Sequence, residues 1–273
     1  MRRFFAAVAR GFFLLCGVLL PLGCARYRPT PVPLRTVQFP GTGQPRTLVV
    51  LLPGRHDAPQ DFGRAGFPEM AARAGARVDM VAADAHLGYY LKNLIIDRLH
   101  EDVIAPARRR YERIWLVGIS IGGAGAVAYA SRHPENVDGV VLLAPFLGQE
   151  EVIGEVAAGG GLRRWKPPEP LAPDDYQRQL WAWLSRYASG SQGRIPLYLG
   201  FGTCDSFARA NGLLAEVLPP ERVFTVAGGH DWKAWRALWA DFVRTGALGT
   251  GCARAAVDKA DALGQTAAYH ELR

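Results

Sequence analysis

The chain has 273 residues, 49% of them hydrophobic, which is enough to bury the core of one full domain. Its formal charge of +7 is mild once Arg2, Arg3 and Arg10 are assigned to a leader, and no Lys/Arg cluster is interleaved with aromatics, so a nucleic-acid partner is excluded. The six histidines, at positions 56, 86, 100, 133, 230 and 270, are isolated from one another and from the cysteines, so no metal site and no cofactor are implied.

In chain order, residues 1–22 set three arginines around short apolar stretches and then the run 11–22. That run is too short to cross a bilayer but suits the apolar region of an export signal. Pro21-Leu22-Gly23-Cys24 resembles a bacterial lipoprotein box, which would make 1–23 a signal peptide and Cys24 the lipidated N-terminus of an exported, membrane-anchored envelope protein. Cleavage after Ala25 is the alternative, and would leave a soluble periplasmic or secreted protein. Residues 24–33 hold Pro29, Pro31 and Pro33 and read as an extended tether. The main domain then runs over 34–250, with a tail at 251–273.

Apolar strands are expected at 34–39, 47–52, 78–83, 114–117, 137–143, 195–201 and 222–226, and helices at 62–74, 90–110, 121–132, 206–218 and 231–245. The alternation implies a mostly parallel sheet covered by helices on both faces, with ligands beyond the carboxyl ends of its strands. Residues 147–194 break the rhythm and read as a lid-like insertion over that edge. Their Gly/Pro-rich first half suggests a mobile lip, whereas Leu180, Leu184 and Tyr187 form a stripe that packs a helix onto the domain. Cys204 and Cys252 could pair, but the expected strand and helix directions place them toward opposite ends of the sheet.

The run Ile114-Trp115-Leu116-Val117 leads straight into Gly118-Ile119-Ser120-Ile121-Gly122 and a stretch of small residues. A G-x-S-x-G turn between strand and helix forces its serine into a strained backbone that lifts the hydroxyl above the sheet, which makes Ser120 the candidate nucleophile. A serine needs a base, and the base needs a carboxylate to fix its tautomer. His230 follows a strand and a double glycine, where a general base should sit. Asp205 also lies just past a strand, though a short acid there could simply cap the next helix. Asp231, Asp84 and Asp57 are rival carboxylates; Asp231 is the better placed to cap the helix it opens. The order Ser, Asp, His selects Asp205. The oxyanion of the tetrahedral intermediate needs two N–H donors, for which the amides of Ile121 and of Arg55, after Pro53-Gly54, are the candidates.

These segments resemble the putative-esterase family of α/β-hydrolases, which contains S-formylglutathione hydrolase, tributyrin and feruloyl esterases and mycolyltransferases. The likeness rests on Gly88-Tyr89-Tyr90, on Gly118 to Ala126 with Arg132-His133-Pro134-Glu135, on Gly229-His230-Asp231-Trp232 with Trp235, and on Gly202-Thr203-Cys204-Asp205 with Asn211. Ile121 stands where methionine is usual and Pro53 where histidine is common; neither change removes a backbone donor. The resemblance implies the α/β-hydrolase fold and a serine carboxylesterase acting on a small-molecule or envelope ester, with Tyr89, Tyr90 and Phe146 as substrate contacts. An envelope acyltransferase with the same three residues, or a non-catalytic binding module, are the other readings. Oligomeric state is not legible.

Overall fold

The computed structural model describes residues 28–190 and 195–249. The expected signal peptide, Cys24, the first part of the tether, Cys252 and the tail lie outside the described residues.

Seven strands form one sheet: β1 (Thr36–Phe39), β2 (Thr47–Leu52), β3 (Val78–Ala83), β4 (Arg113–Ile119), β5 (Gly139–Leu143), β6 (Leu197–Gly202) and β7 (Val223–Val226), ordered β1-β3-β2-β4-β5-β6-β7. β1 runs antiparallel to β3 and every other neighbour pair is parallel. Successive side chains of a strand face opposite sides of a sheet, yet every residue of β2, β3 and β5 is buried, so both faces are covered. This is the α/β-hydrolase architecture.

The covering helices are α1 (Asp61–Arg64), α2 (Phe67–Arg73), α3 (Leu87–Leu91), α4 (Ile95–Leu99, running on through a π-helical turn at His100–Ile104 and a last turn at Ala105–Ala107), α5 (Ile121–Arg132), α6 (Glu150–Ala158), α7 (Tyr176–Ala188), α8 (Ala208–Ala215) and α9 (Trp232–Arg244). α9 packs on α2 and the β5–β7 side of the sheet, whereas α5 packs on β4, β5, α4 and α7. One core anchor is Trp239 of α9, which is fully buried, stacks on Phe67 at 5.0 Å and donates its indole N–H to the Phe67 carbonyl at 3.0 Å.

Strand order positions the site. The chain enters at the edge strand β1, crosses to β2 and moves outward to β3, then returns to the other side of β2 for β4 and continues outward to β7. The reversal sets the carboxyl ends of β2 and β4 side by side, with Leu52 opposite Gly118, and such a switch point opens a crevice for ligands.

Several sequence expectations are corrected. The single helix expected over 62–74 is two, broken at Gly66, whose φ of 77° ends the helical path. The one expected over 90–110 is broken at Asn93, with φ 56°, between α3 and α4. In the insertion, helix α6 was not anticipated, although Val152, Ile153 and Val156 form its buried face. The end of its glycine run is packed, since Leu162 and Trp165 are buried and Glu155 accepts from Trp165 Nε1–H at 3.0 Å and from Arg178 Nε–H at 2.8 Å, whereas the proline-bearing residues 166–174 are largely exposed. α7 buries Leu180 and Leu184 as expected, and Trp181 and Trp183 with them.

Residues 28–33 are likewise docked on the domain. Arg28 pairs with Asp84 at 3.0 Å, Lys92 donates to Thr30 Oγ1 at 3.1 Å, and Tyr89 donates its hydroxyl proton to the Pro31 carbonyl at 2.7 Å. His86 Nδ1 accepts from Gly88 N–H at 3.1 Å as the N-cap of α3, so its proton is on Nε2, which donates to the Pro29 carbonyl at 3.0 Å. Burial, helped by the Arg28 charge, holds this imidazole below the ordinary histidine pKa. The unfolded chain therefore takes up the proton first: this contribution to stability is complete above about pH 6.5 and is lost as pH falls through the lower folded value. The urea midpoint should fall on acidification from about pH 7 to about pH 5, and His86→Gln should reduce that slope. An unchanged slope would show that His86 does not report this docking.

Candidate active site

Ser120 sits between β4 and α5 with φ 54° and ψ −118°, a conformation of the kind that costs a non-glycine residue on the order of 1–3 kcal/mol. The surrounding packing holds it there. A Cβ on Gly118 would lie 2.3 Å from the Gly122 carbonyl oxygen, and one on Gly122 would lie 2.2 Å from the Leu52 carbonyl oxygen. The start of α5 is thereby pressed against both its own strand and the end of β2. Backbone bonds add to this: Ser120 N–H donates to the Leu143 carbonyl at 3.1 Å, and Phe146 N–H donates to the Ser120 carbonyl at 2.9 Å. The end of β5 carries a second positive φ, 48° at Ala144, which turns the chain toward Phe146.

Asp205 follows β6 and His230 follows β7, and backbone hydrogen bonds stitch the two loops together. Thr203 N–H donates to the Val226 carbonyl and Cys204 N–H to the Gly228 carbonyl, both at 2.9 Å. Gly202 permits the approach, since a Cβ there would meet the Gly228 carbonyl oxygen at 2.3 Å. The result is that His230 Nδ1 lies 2.9 Å from Asp205 Oδ2 and 3.1 Å from Oδ1. The carboxylate is inaccessible to solvent while the imidazole is a quarter exposed. Accepting from Nδ1–H, Asp205 leaves Nε2 free as a base. Asp205 Oδ1 also accepts from Phe207 N–H at 2.8 Å, so the capping role and the imidazole contact, set out above as alternatives, coexist in one side chain.

Phe207 and Trp235 flank the imidazole edge-on at 4.7 and 5.1 Å, and Phe207 in turn meets Phe146 at 5.5 Å. Through Phe146 this aromatic wall reaches Ser120. No hydrogen bond joins Ser120 Oγ to His230 among the described residues; contacts of this kind tighten when substrate is bound. Neither Ile121 N–H nor Arg55 N–H donates to any acceptor among the described residues, and Ile121, at the first position of α5, lacks an intrahelical partner by geometry. Both donors are available at the switch point.

Other expected site residues go elsewhere. Tyr89 is fully buried with its hydroxyl on Pro31, so it holds the N-terminal segment and does not face a substrate. Tyr90 packs on Gly125 of α5 with its hydroxyl buried and without a hydrogen bond among the described residues, and burial pushes its phenol pKa well up. Asp231 caps α9 through Ala234 N–H at 2.9 Å, as expected, and Asp84 pairs with Arg28. Asp57 is taken by Trp232 Nε1–H at 2.9 Å. Sequence reasoning missed Phe207 as a neighbour of the imidazole; its place two residues after Asp205 was the available signal. Cys204 is exposed and forms no disulfide among the described residues, which do not include Cys252.

A strained serine at a strand-to-helix turn, linked through Phe146 and Phe207 to a histidine paired with a buried aspartate, suits acyl transfer. The model of a family described as "Putative esterase" matches residues 47–245. The chain belongs to this family of serine ester hydrolases. Lysophospholipase L2 of Escherichia coli strain K12 is 30% identical to the esterase over 132 residues, which are 43% of this chain and 37% of the relative. The chain thus matches little more than a third of that relative's length. Among solved structures, S-formylglutathione hydrolase FrmB of Staphylococcus aureus superimposes with a TM-score of 0.53 at 14% identity, over 76% of this chain and 83% of its own. Est1E of Butyrivibrio proteoclasticus, seen with ferulic acid, gives 0.53 at 14%, over 80% and 95%. At these identities the two structures speak to the fold.

The close approach at the elbow is directly testable in this esterase. Gly122→Ala should lower stability by about 1–3 kcal/mol, because the new methyl must displace the backbone at Leu52 and Pro53. A urea midpoint equal to that of the unaltered chain would contradict the packing described.

Proposed function

We propose that the protein is a serine carboxylesterase that forms an acyl-enzyme on Ser120. The observation that carries this is the Asp205–His230 pair at 2.9 Å, reached through Phe207 and Phe146 from a serine held at φ 54°. In this reading Ser120 Oγ attacks the ester carbonyl as its proton passes to His230 Nε2. Asp205 holds the tautomer and stabilises the imidazolium. The N–H groups of Ile121 and Arg55 donate to the developing oxyanion, an interaction stronger in the transition state than in the ground state. Imidazolium then protonates the departing alcohol. Water, activated by the same base, attacks the acyl carbonyl and releases the acid and free Ser120. The Phe146–Phe207 wall supplies an apolar surface beside the serine, which suits the carbon chain or ring of an acyl ester.

Ser120→Ala should remain folded and lose labelling by a fluorophosphonate probe. Its hydrolysis of a p-nitrophenyl ester should fall by several orders of magnitude, to the roughly 10³–10⁴-fold over water that oxyanion hole and binding alone supply. Asp205→Asn should be similarly impaired while Asp231→Asn, whose amide oxygen can still accept from Ala234 N–H, should leave activity and stability nearly unchanged. Wild-type hydrolysis by a folded Ser120→Ala variant would refute the assignment.

The same proposal places the enzyme at the envelope, anchored through Cys24. The apolar run 11–22 and Gly23-Cys24 support it. Two or three acyl chains would anchor stably where one is marginal. Cys24→Ser expressed with its leader should move from the membrane fraction to the soluble one at undiminished specific activity on a soluble ester. Recovery of both proteins in the soluble fraction would remove the anchor and leave the esterase reading intact.

A further inference from the structure

We infer that Asp57 is a positioning residue: through Trp232 it clamps the turn that presents Arg55 N–H to the loop that presents His230. The inference rests on the esterase reading above and adds to it a residue that the reaction scheme does not use.

The first observation is the Asp57–Trp232 hydrogen bond, 2.9 Å long between residues 175 apart in sequence. It joins the two loops that must register with each other, since one offers an oxyanion donor and the other the base. The second is that Asp57 also builds its own turn. Its N–H donates to the Gly54 carbonyl at 3.3 Å, and its Oδ2 lies against Gly54 so closely that a Cβ on that glycine would be 2.4 Å away. Only glycine leaves room for the carboxylate there, which gives a reason for Gly54 beyond substrate approach. The third is that Trp232 is itself wedged. Phe62, Phe67 and Trp235 meet its indole edge-on at 5.5, 5.9 and 5.2 Å, and Trp235 meets the His230 ring at 5.1 Å. An unbroken line of contacts therefore runs from the Gly54 turn through Asp57, Trp232 and Trp235 to the imidazole.

A neutral asparagine could accept the same indole proton, so the charge of Asp57 calls for a separate explanation. The carboxylate is half-buried, has no ion-pair partner among the described residues, and burial pushes its pKa up, so keeping it ionised is costly. The Trp232 indole N–H offsets the largest share of that cost, the Gly54 backbone adds to it, and attraction to His230 contributes last. The groups around this pair are Asp205 on His230 Nδ1, Asp231 capping α9, Asp61 at the start of α1, Arg55 and His56 in the turn itself, and Lys233 on α9. Asp57 adds a second negative charge to favour the imidazolium that forms during each half-reaction.

Two variants separate geometry from charge. Trp232→Phe keeps an aromatic ring but removes the donor. It should lower kcat by roughly ten- to a hundredfold with KM changed little, because a displaced oxyanion donor is felt only in the transition state. Asp57→Asn preserves an acceptor but removes the charge. The acidic limb of its kcat/KM profile should shift to lower pH, because the imidazolium loses a neighbouring negative charge and the base form persists further into acid. A purely structural Asp57 would leave that midpoint in place. Wild-type kcat in Trp232→Phe, or an unmoved midpoint in Asp57→Asn, would overturn the inference. If Trp232→Phe fails to fold, judged by near-UV circular dichroism, the Asp57→Asn profile alone decides. Loss of the esterase reading is distinguishable, because the unaltered protein would then neither label with a fluorophosphonate nor depend on Ser120.

Discussion

The nucleophile's half of the candidate site follows from the close contact between backbones at the carboxyl ends of β2 and β4. Ser120 occupies a conformation that a free chain avoids, and it stays there because the segments around it leave no alternative. Gly118 and Gly122 lack side chains where carbonyl groups press within van der Waals range, so α5 starts immediately behind the strand. The first amides of that helix then point, unpaired, at the crevice where strand order reverses. Strain, glycine content and unpaired donors are thus consequences of one geometric demand.

The second half of the site is built independently and brought alongside. β6 and β7 are parallel neighbours, so the loops after them emerge at the same edge. Two backbone hydrogen bonds and the bare Gly202 hold those loops in register. That fixes Asp205 against His230 without any contribution from the serine elbow. What joins the halves is aromatic and polar packing: Phe146 and Phe207 on one side, Asp57, Trp232 and Trp235 on the other. A site assembled from separate strand ends in this way can vary its pocket by changing side chains in the loops while the backbone donors stay put.

The N-terminal segment belongs to the fold earlier than its composition suggests. Three prolines in a polar stretch read as an extended spacer, but from Arg28 onward their carbonyls serve as acceptors for His86 and Tyr89. An extended chain exposes backbone acceptors at regular intervals, and here the β3–α3 loop uses them. The same pairing explains why Tyr89, which the resemblance implies as a substrate contact, is a structural residue.

The amino-acid sequence by itself determined the elements and the elbow. Buried strands are continuous apolar runs, helices α5 and α9 begin at residues whose local chemistry starts a helix, and G-x-S-x-G encodes its own strain because only small neighbours permit it. The order of Ser120, Asp205 and His230 was legible for the same reason: each lies next to a strand end that its neighbours define. Breaks at Gly66 and Asn93 escaped the periodicity, because one left-handed residue can interrupt a helix without disturbing the apolar pattern on either side. The fate of the competing carboxylates was decided only by tertiary structure. Asp57, Asp84, Asp205 and Asp231 are chemically alike, and each follows a strand or a turn. Which of them meets the imidazole, an indole, a guanidinium or a helix end depends on strand order and on contacts between residues as far as 175 positions apart, and no local pattern carries that information.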